Sequence, residues 1–232
     1  MPQLTSATGV YDRVRTQIGK LARRVEEVFT VPSEQDEDAL QLYLGDALSE
    51  IATVTERINT SVQLTTTAGQ AYLDRPPYMH MLKQGAVYAG QTAYELAVQD
   101  GPEVAAWSRA PDADRGRPSH IGAYDGKLYL WKVPDDTYTV DLQIKHNGTA
   151  APNSAPPQGP QDPPTFDTLV ERVPSELDRA LAGYVTAEWL KEVGHPNAAQ
   201  EATQRFLRDI RRHKHEPVHD STATRPYRPL GF

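Results

Sequence analysis

The chain has 232 residues, a formal net charge of -7 and no cysteine. The lack of cysteine excludes disulfides, thiolate catalysis and cysteine-ligated zinc, and the acidic balance argues against a general grip on nucleic acid, because phosphate contacts need clustered lysine and arginine. A mean hydropathy of -0.59 and 19 prolines indicate that part of the chain stays outside a packed core.

The first predicted element is a helical hairpin over residues 1–59. Its N-terminal sequence, MPQLTSATGVYDRV, lacks the apolar run of an export signal, so we expect a protein made in a cytoplasm, with no membrane partner. Apolar residues at spacings of three and four predict a helix over residues 10–28. A second helix begins at Ser33, a suitable N-cap with Asp36 at the capping-box position, and continues to about residue 58.

Residues 60–146 are predicted to form an inserted small antiparallel sheet or sandwich of five or six short strands. Asp125-Gly126 is typical of a tight turn between two strands, and residues 101–119 are predicted to be a loop. From Tyr138 to residue 146 apolar and polar residues alternate, which indicates a half-buried strand. We expect this strand to form a hairpin with the strand before it, through Val133-Pro134-Asp135-Asp136.

The last third of the chain is predicted to contain a linker, two helices and an arm. Residues 147–165 have the composition of a flexible, partly polyproline linker. Helices return over residues 166–213, with Gly194 and Pro196 as a stop signal between them, and residues 214–232 are predicted to be an extended C-terminal arm. The expected fold is therefore α+β: mainly a bundle of about four helices, with the sheet inserted in it.

No enzymatic motif occurs in the sequence, so we predict no enzyme, no catalytic residue, no metal site and no cofactor. The one metal-ligating group of interest comprises His213, His215, His219 and Asp220. Its spacing matches no closed zinc site and neighbouring cationic side chains repel a metal, so a solvated basic helix terminus is the favoured interpretation.

Two sets of residues are candidates for partner binding. The arm combines cationic and large apolar side chains: Arg225, Tyr227, Arg228, Leu230 and Phe232. The inserted sheet carries aromatic residues that could contact a partner or a carbohydrate: Tyr129, Trp131 and Tyr138. Packing between cross-strand aromatic pairs is the alternative interpretation of the second set.

Three stretches resemble, in the same order, parts of the head-to-tail adaptor proteins of tailed bacteriophages, also called head-completion or connector proteins. They are DALQLYLGDALSEIATVT in the second helix, GKLYLWKVPDDTYTVDLQIKH in the sheet, and VPSELDRALAGYVTAEWLKEVG after the proline-rich segment.

The resemblance implies a structural virion protein of the neck. Such a protein binds beneath the portal, forms a ring of about twelve copies (a dodecamer), and extends the DNA channel toward the tail. Its partners would be the portal protein, neighbouring adaptor subunits, the next neck or tail protein, and passing DNA without sequence recognition. The arm would reach the portal, and the sheet would offer a surface to the next component.

Three other functions are weighed against this one. A stopper or tail-terminator ring would also fit a neck protein, although such proteins are usually richer in β structure. The sheet could instead bind glycan on a host or capsid surface. A metal-dependent enzyme is the last alternative.

Overall fold

The computed structural model describes residues 6–25, 29–99, 101–109, 114–154 and 157–214. These residues form an α+β fold of six α-helices and one sheet of seven strands. The helices are α1 (Ala7–Val25), α2 (Glu37–Thr55), α3 (Pro102–Arg109), α4 (Phe166–Arg172), α5 (Asp178–Glu192) and α6 (Pro196–Lys214). The strands are β1 (Asn59–Thr65), β2 (Tyr72–Asp74), β3 (Met79–Ala89), β4 (Thr92–Gln99), β5 (His120–Tyr124), β6 (Lys127–Trp131) and β7 (Thr139–His146).

Helices from both ends of the chain share one hydrophobic core. The α5 helix packs against α1, α2 and α6, and the short α4 adds Phe166, Leu169 and Val170 to the same core. Five helices therefore contribute to this core, where the sequence predicted about four. The apolar stripes of α1 and α2 supply fully buried side chains: Val10, Val14, Ile18, Leu40, Leu44, Leu48 and Ile51.

The ends of the helices follow local sequence signals. Ser33 caps a 3-10 turn over Glu34–Asp36 that leads into α2, and the reciprocal bonds of the predicted capping box with Asp36 are both present. The connection between α5 and α6 has Gly194 in the left-handed region at φ 82°, and Pro196 is the first residue of α6. These boundaries confirm the predicted capping and stop signals.

The seven strands form one curled, mixed sheet in the order β1-β7-β3-β4-β5-β6-β2. The β4–β5 pair is parallel and the other neighbouring pairs are antiparallel, so the sheet is not the small antiparallel sandwich that the sequence predicted. All seven strands place apolar side chains in a second core, separate from the helical one. The β5–β6 turn has Asp125 at φ 45° and Gly126 at φ 72°, as expected for a tight hairpin.

The β7 strand has the predicted alternation but not the predicted partner. Val140, Leu142 and Ile144 are fully buried, yet β7 pairs with β1 and β3, whereas β6 pairs with β2 and β5. The expected β6–β7 hairpin is therefore wrong. The reason lies in the connection, whose carbonyl groups at Pro134 and Tyr138 accept hydrogen bonds from the β1–β2 loop instead of starting a ladder.

Part of the stretch predicted as a loop is the helix α3. Gly101, at φ 69°, reverses the chain, and Pro102 occupies the first helical position. Val104 is fully buried against Gly122 of β5, where an added Cβ would lie 2.2 Å from a Val104 methyl group. Gly122 therefore lets α3 pack closely on the outer face of the sheet.

The proline-rich segment 147–165 makes specific contacts in the structure with both cores. Gly148 lies directly on α2, because a Cβ there would lie 2.4 Å from the backbone of Ser49. The Tyr78 hydroxyl donates a hydrogen bond of 2.8 Å to the carbonyl of Pro160. An isolated bridge pairs Ala151 with Thr165 just before α4.

Candidate interaction surfaces

The outer face of β2, β5 and β6 carries a cluster of partly exposed tyrosines, here called the tyrosine face: Tyr72, Tyr124 and Tyr129. The Tyr129 ring centroid lies 6.1 Å from that of Tyr72 and 6.4 Å from that of Tyr124. The ammonium group of Lys127 lies 3.7 Å from the centre of the Tyr72 ring, a cation–π contact. This face offers aromatic area and one cation to a partner.

Trp131 lies on the same outer side of β6 as Tyr129, but helix α3 covers it in part. The rings of Trp131 and Trp107 are 5.7 Å apart, and Trp107 also meets the ring of His120 edge-on at 6.1 Å. His120 is opposite Trp131 in the β5–β6 register. Trp131 therefore anchors α3 to the sheet, which is a packing role.

Tyr138 lies on the other side of the sheet from the other two aromatic residues predicted with it. It continues the inward-facing series of β7 and packs against the sheet core. Its hydroxyl donates a hydrogen bond of 2.7 Å to Asp135, and this bond, with smaller effects of burial and nearby carboxylates, raises the pKa of Tyr138. The structure thus brings Tyr129 and Trp131 together and separates Tyr138 from them.

Two predicted sets of residues lie outside the described residues. All the arm residues do: Arg225, Tyr227, Arg228, Leu230 and Phe232. Three members of the histidine cluster also do: His215, His219 and Asp220. Within the described part of the chain, no group of three histidine or carboxylate side chains is placed to hold a metal ion. The same part contains no helix with the length and apolar character needed to cross a bilayer.

A groove of about 260 Å³ runs between α2, α5 and α6, and we call it the acidic groove. Its floor is aromatic and aliphatic, with Phe206 buried and Leu207 38% exposed. Its rim carries carboxylates: Glu50 and Glu188 line it directly, and Lys191 pairs with Glu188 at 2.5 Å.

Burial and the carboxylates of this region raise the pKa of two tyrosines beside it, Tyr184 and Tyr43. Burial raises the pKa of Tyr184, and the charges of Glu188, Asp46 and Glu50 raise it further. Burial and a hydrogen bond from its hydroxyl to Glu192 raise the pKa of Tyr43 to about 12. Several carboxylates therefore converge on one face formed by α2 and α5.

A second helical face has the opposite charge. Arg208 and Arg212 are exposed on one side of the last turns of α6, and we call them the basic strip. Arg211 is also exposed, but it lies about 40° around the helix from Leu207, beside the groove. At 100° per residue, Arg208 and Arg212 point about 140° and 180° away from Thr203, which lines the groove. The sequence predicted neither face, because which helices flank a groove depends on tertiary packing.

The family model described as SU10 adaptor protein matches residues 6–229 of the chain. The match includes both cores and the segment that follows α6. No curated protein matches the chain.

Proposed function

The chain belongs to the SU10 adaptor protein family, a family of phage head-to-tail adaptors, and we propose that its copies form a ring that docks on the portal and extends the DNA channel. The family is a structural one and not an enzyme family, and its members belong to the neck of the virion. We propose that the ring is a dodecamer, that it contacts the portal and that it encloses the DNA channel.

The observation that carries the proposal is the pair of oppositely charged faces on one helical body. A closed ring built from one kind of subunit needs two different faces that complement each other. The acidic groove region offers Asp46, Glu50 and Glu188, and the basic strip on another side of α6 offers Arg208 and Arg212. We propose that the acidic groove of each subunit meets the basic strip of the next.

The net charge of -7 fits a subunit that surrounds moving DNA. A surface with an excess of carboxylates repels phosphates weakly, so DNA passes without being held and without sequence recognition.

Reversing the charge of one face tests the ring contact. We expect wild-type protein mixed with the portal of the same phage to give ring-sized complexes in size-exclusion chromatography and electron microscopy. The double substitution Glu50→Lys with Glu188→Lys should abolish these complexes. The matched control is Glu95→Lys with Glu103→Lys, which makes the same charge change at exposed positions on β4 and α3.

A rescue variant makes this test specific. Adding Arg208→Glu and Arg212→Glu to the two lysine substitutions reverses both faces, so subunits become complementary again and rings should return. Rings that form despite the acidic-face reversal alone would refute this contact. Failure of the wild-type protein to bind portal at all would refute the docking itself.

We further propose that the tyrosine face attaches the next neck or tail component. Aromatic side chains dominate the energetics of protein interfaces, and this face lies away from the helical core that forms the proposed ring wall. The double substitution Tyr124→Ser with Tyr129→Ser should leave portal rings intact and prevent addition of the next component.

Met81→Ser serves as the control for that substitution, because Met81 is 45% exposed on β3, outside the tyrosine face. Binding of the wild-type protein to a glycan array that is lost in the tyrosine variant would favour the glycan function instead.

A further inference from the structure

The acidic groove has the features of a site for an extended peptide segment. Its floor is apolar at Phe206 and Leu207, and its rim has a net negative charge, because Glu50 lies there beside the ion pair of Glu188 with Lys191. A fitting segment would therefore combine large apolar side chains with cations, and it would carry no acidic residue of its own.

One segment of this chain has that composition. Residues 221–232, STATRPYRPLGF, contain two arginines, no acidic residue, and the apolar side chains of Tyr227, Leu230 and Phe232. The two prolines favour a polyproline II conformation with three residues per turn. In that conformation Arg225 and Arg228 share one edge of the segment, and Tyr227 and Leu230 share another.

The groove lies within reach of this segment. Leu207 precedes the end of α6 at Lys214 by seven residues, which is about 10 Å along a helix. Residues 215–224 extend up to about 33 Å, three times that distance. The chain can therefore turn back and enter the groove of its own subunit.

We propose that residues 225–232 dock in the acidic groove of the same chain. Tyr227 and Leu230 pack on Phe206 and Leu207, and the arginine edge faces Glu50 and Glu188. A tethered segment has an effective concentration in the millimolar range, so docking within one chain prevails over docking between chains in dilute solution. The prolines lower the entropy lost on docking, because they restrict the free segment in advance.

Such docking has a consequence that rests on the proposed ring. The same groove would bind the subunit's own arm and, in the ring, would contact the basic strip of a neighbouring subunit. Free subunits would then remain separate until portal binding removes the arm, since a face occupied by its own chain is unavailable to another subunit.

Disulfide trapping in the full-length chain tests the docking, and the lack of native cysteine gives a clean background. The test variant carries Thr203→Cys in the groove and Gly231→Cys in the arm. The control carries Arg208→Cys with Gly231→Cys; Arg208 is exposed, off the groove and nearer to the arm along the chain. Both are oxidised with glutathione disulfide at low protein concentration.

We expect the intramolecular disulfide to form at least about tenfold faster in the test variant than in the control. Docking places the arm thiol in the groove, so it raises the concentration of that thiol near position 203. Equal rates, after correction for the reactivity of each thiol, would overturn the proposal. Disulfide-linked dimers as the main product would overturn docking within one chain.

A second pair of variants separates docking from general effects on the fold. Leu207→Lys, added to the test variant, should reduce the rate of disulfide formation to that of the control. Leu42→Lys should not, because Leu42 is 66% exposed on α2 and does not line the groove. An unchanged rate with Leu207→Lys would overturn the proposal. These experiments use no portal, so their failure and a failure of ring formation are distinguishable.

Discussion

The helical core and the sheet core are assembled from the chain in different ways. The helical core combines residues from Ala7 to Ile58 with residues from Phe166 to Ile210, so its two halves are far apart in sequence. The sheet core uses one continuous stretch, from Val62 to Ile144. The sheet core can therefore form from one continuous part of the chain, whereas the helical core forms only when residues from both ends of the chain pack together.

The two cores meet at a narrow junction where the sheet begins and ends. All seven residues of the first strand, β1, pair with the last strand, β7, and the amide of His146 donates to the carbonyl of Ile58 at 2.8 Å. Ion pairs join the parts here: Arg57 binds Glu176, and Lys145 binds Glu56. Each core can therefore be perturbed separately, and the junction can be perturbed by itself.

The largest effects should follow from cavities in either core. Leu44→Ala in α2 and Leu142→Ala in β7 each remove a fully buried side chain, and each should lower the free energy of unfolding by about 2–5 kcal/mol. Native-state hydrogen exchange should show Leu44→Ala loosening helices from both ends of the chain, and Leu142→Ala loosening the strands first.

A uniform loss of protection in either variant would contradict this separation of the two cores. Leu42→Ala supplies the control, since this leucine is exposed on the opposite side of α2 and its truncation should leave exchange unchanged.

A substitution at the junction should have a slightly smaller effect. Gly148→Ala places a methyl group 2.4 Å from the backbone of Ser49 and strains a residue at φ 89°, so we expect a loss of about 2–3 kcal/mol by chemical denaturation. Gly69→Ala is the matched control, because Gly69 also has a positive φ of 80° but no atom near the added Cβ. Equal losses would mean that the contact with α2 contributes nothing.

The pH dependence of stability should report on His146, which is 1% exposed at the junction. Its Nδ1 accepts the amide of Gly148 at 2.9 Å, and its ring stacks on Tyr78. Burial, aided by the charge of Arg172, lowers the pKa of His146 to about 4. Protonation of Nδ1 would also break the bond from Gly148.

The sign of the effect follows from proton uptake. The unfolded histidine, with a pKa near 6.5, binds a proton between pH 6.5 and 4 while the folded one does not, so stability falls as the pH falls through that range. Between pH 6.5 and 5 the loss should be about 2 kcal/mol. His146→Asn keeps an acceptor for Gly148 but cannot titrate, so denaturation curves of this variant should lose that slope. A slope that persists would exclude His146 as its source.

The smallest effect should come from a helix cap. Ser33→Ala removes the side-chain acceptor that caps the 3-10 turn before α2 and should lower the free energy of unfolding by about 1 kcal/mol. Ser33→Thr keeps a hydroxyl that accepts from the Gln35 amide and donates to Asp36, so it should be close to neutral. Exchange in the sheet should not respond to either change, and a response there would show that the two cores are more tightly coupled than their separate packing suggests.

The sequence predicted elements whose signal is local and failed where the partner is distant. The stripes of α1 and α2, the capping box at Ser33 and the alternation of β7 depend on residues close in sequence. The structure confirms the last three, and it confirms the α1 stripe from Val10 to Ile18; residues 26–28 of the predicted first helix lie outside the described residues. The order of strands depends on contacts between distant segments, so adjacency along the chain gave a false β6–β7 hairpin. Helix α3 was missed because eight residues carry little periodicity; Gly101-Pro102 followed by Val104 was the available signal.

The candidate surfaces were less predictable than the fold. Alternation along β6 places Tyr129 and Trp131 on one side, but it does not reveal that α3 covers only Trp131. Tyr138 belongs to the inner series of β7, so its separation from Tyr129 was readable from the same alternation. The acidic groove joins α2 with α5 and α6, which lie more than a hundred residues later, so only tertiary packing brings its lining together.

The divided origin of the helical core affects how the protein is made. A ribosome releases the apolar stripes of α1 and α2 long before Phe206 and Ile210, which complete their core. Residues 59–210, which follow Ile58 and end with Ile210, take about 8–30 s to synthesise at about 5–20 residues per second. The sheet can fold during that interval. Because its first and last strands are paired, the folded sheet then keeps the chain that follows β7 close to α1 and α2. The newborn N-terminal helices thus depend on chaperones or on each other until translation is nearly complete.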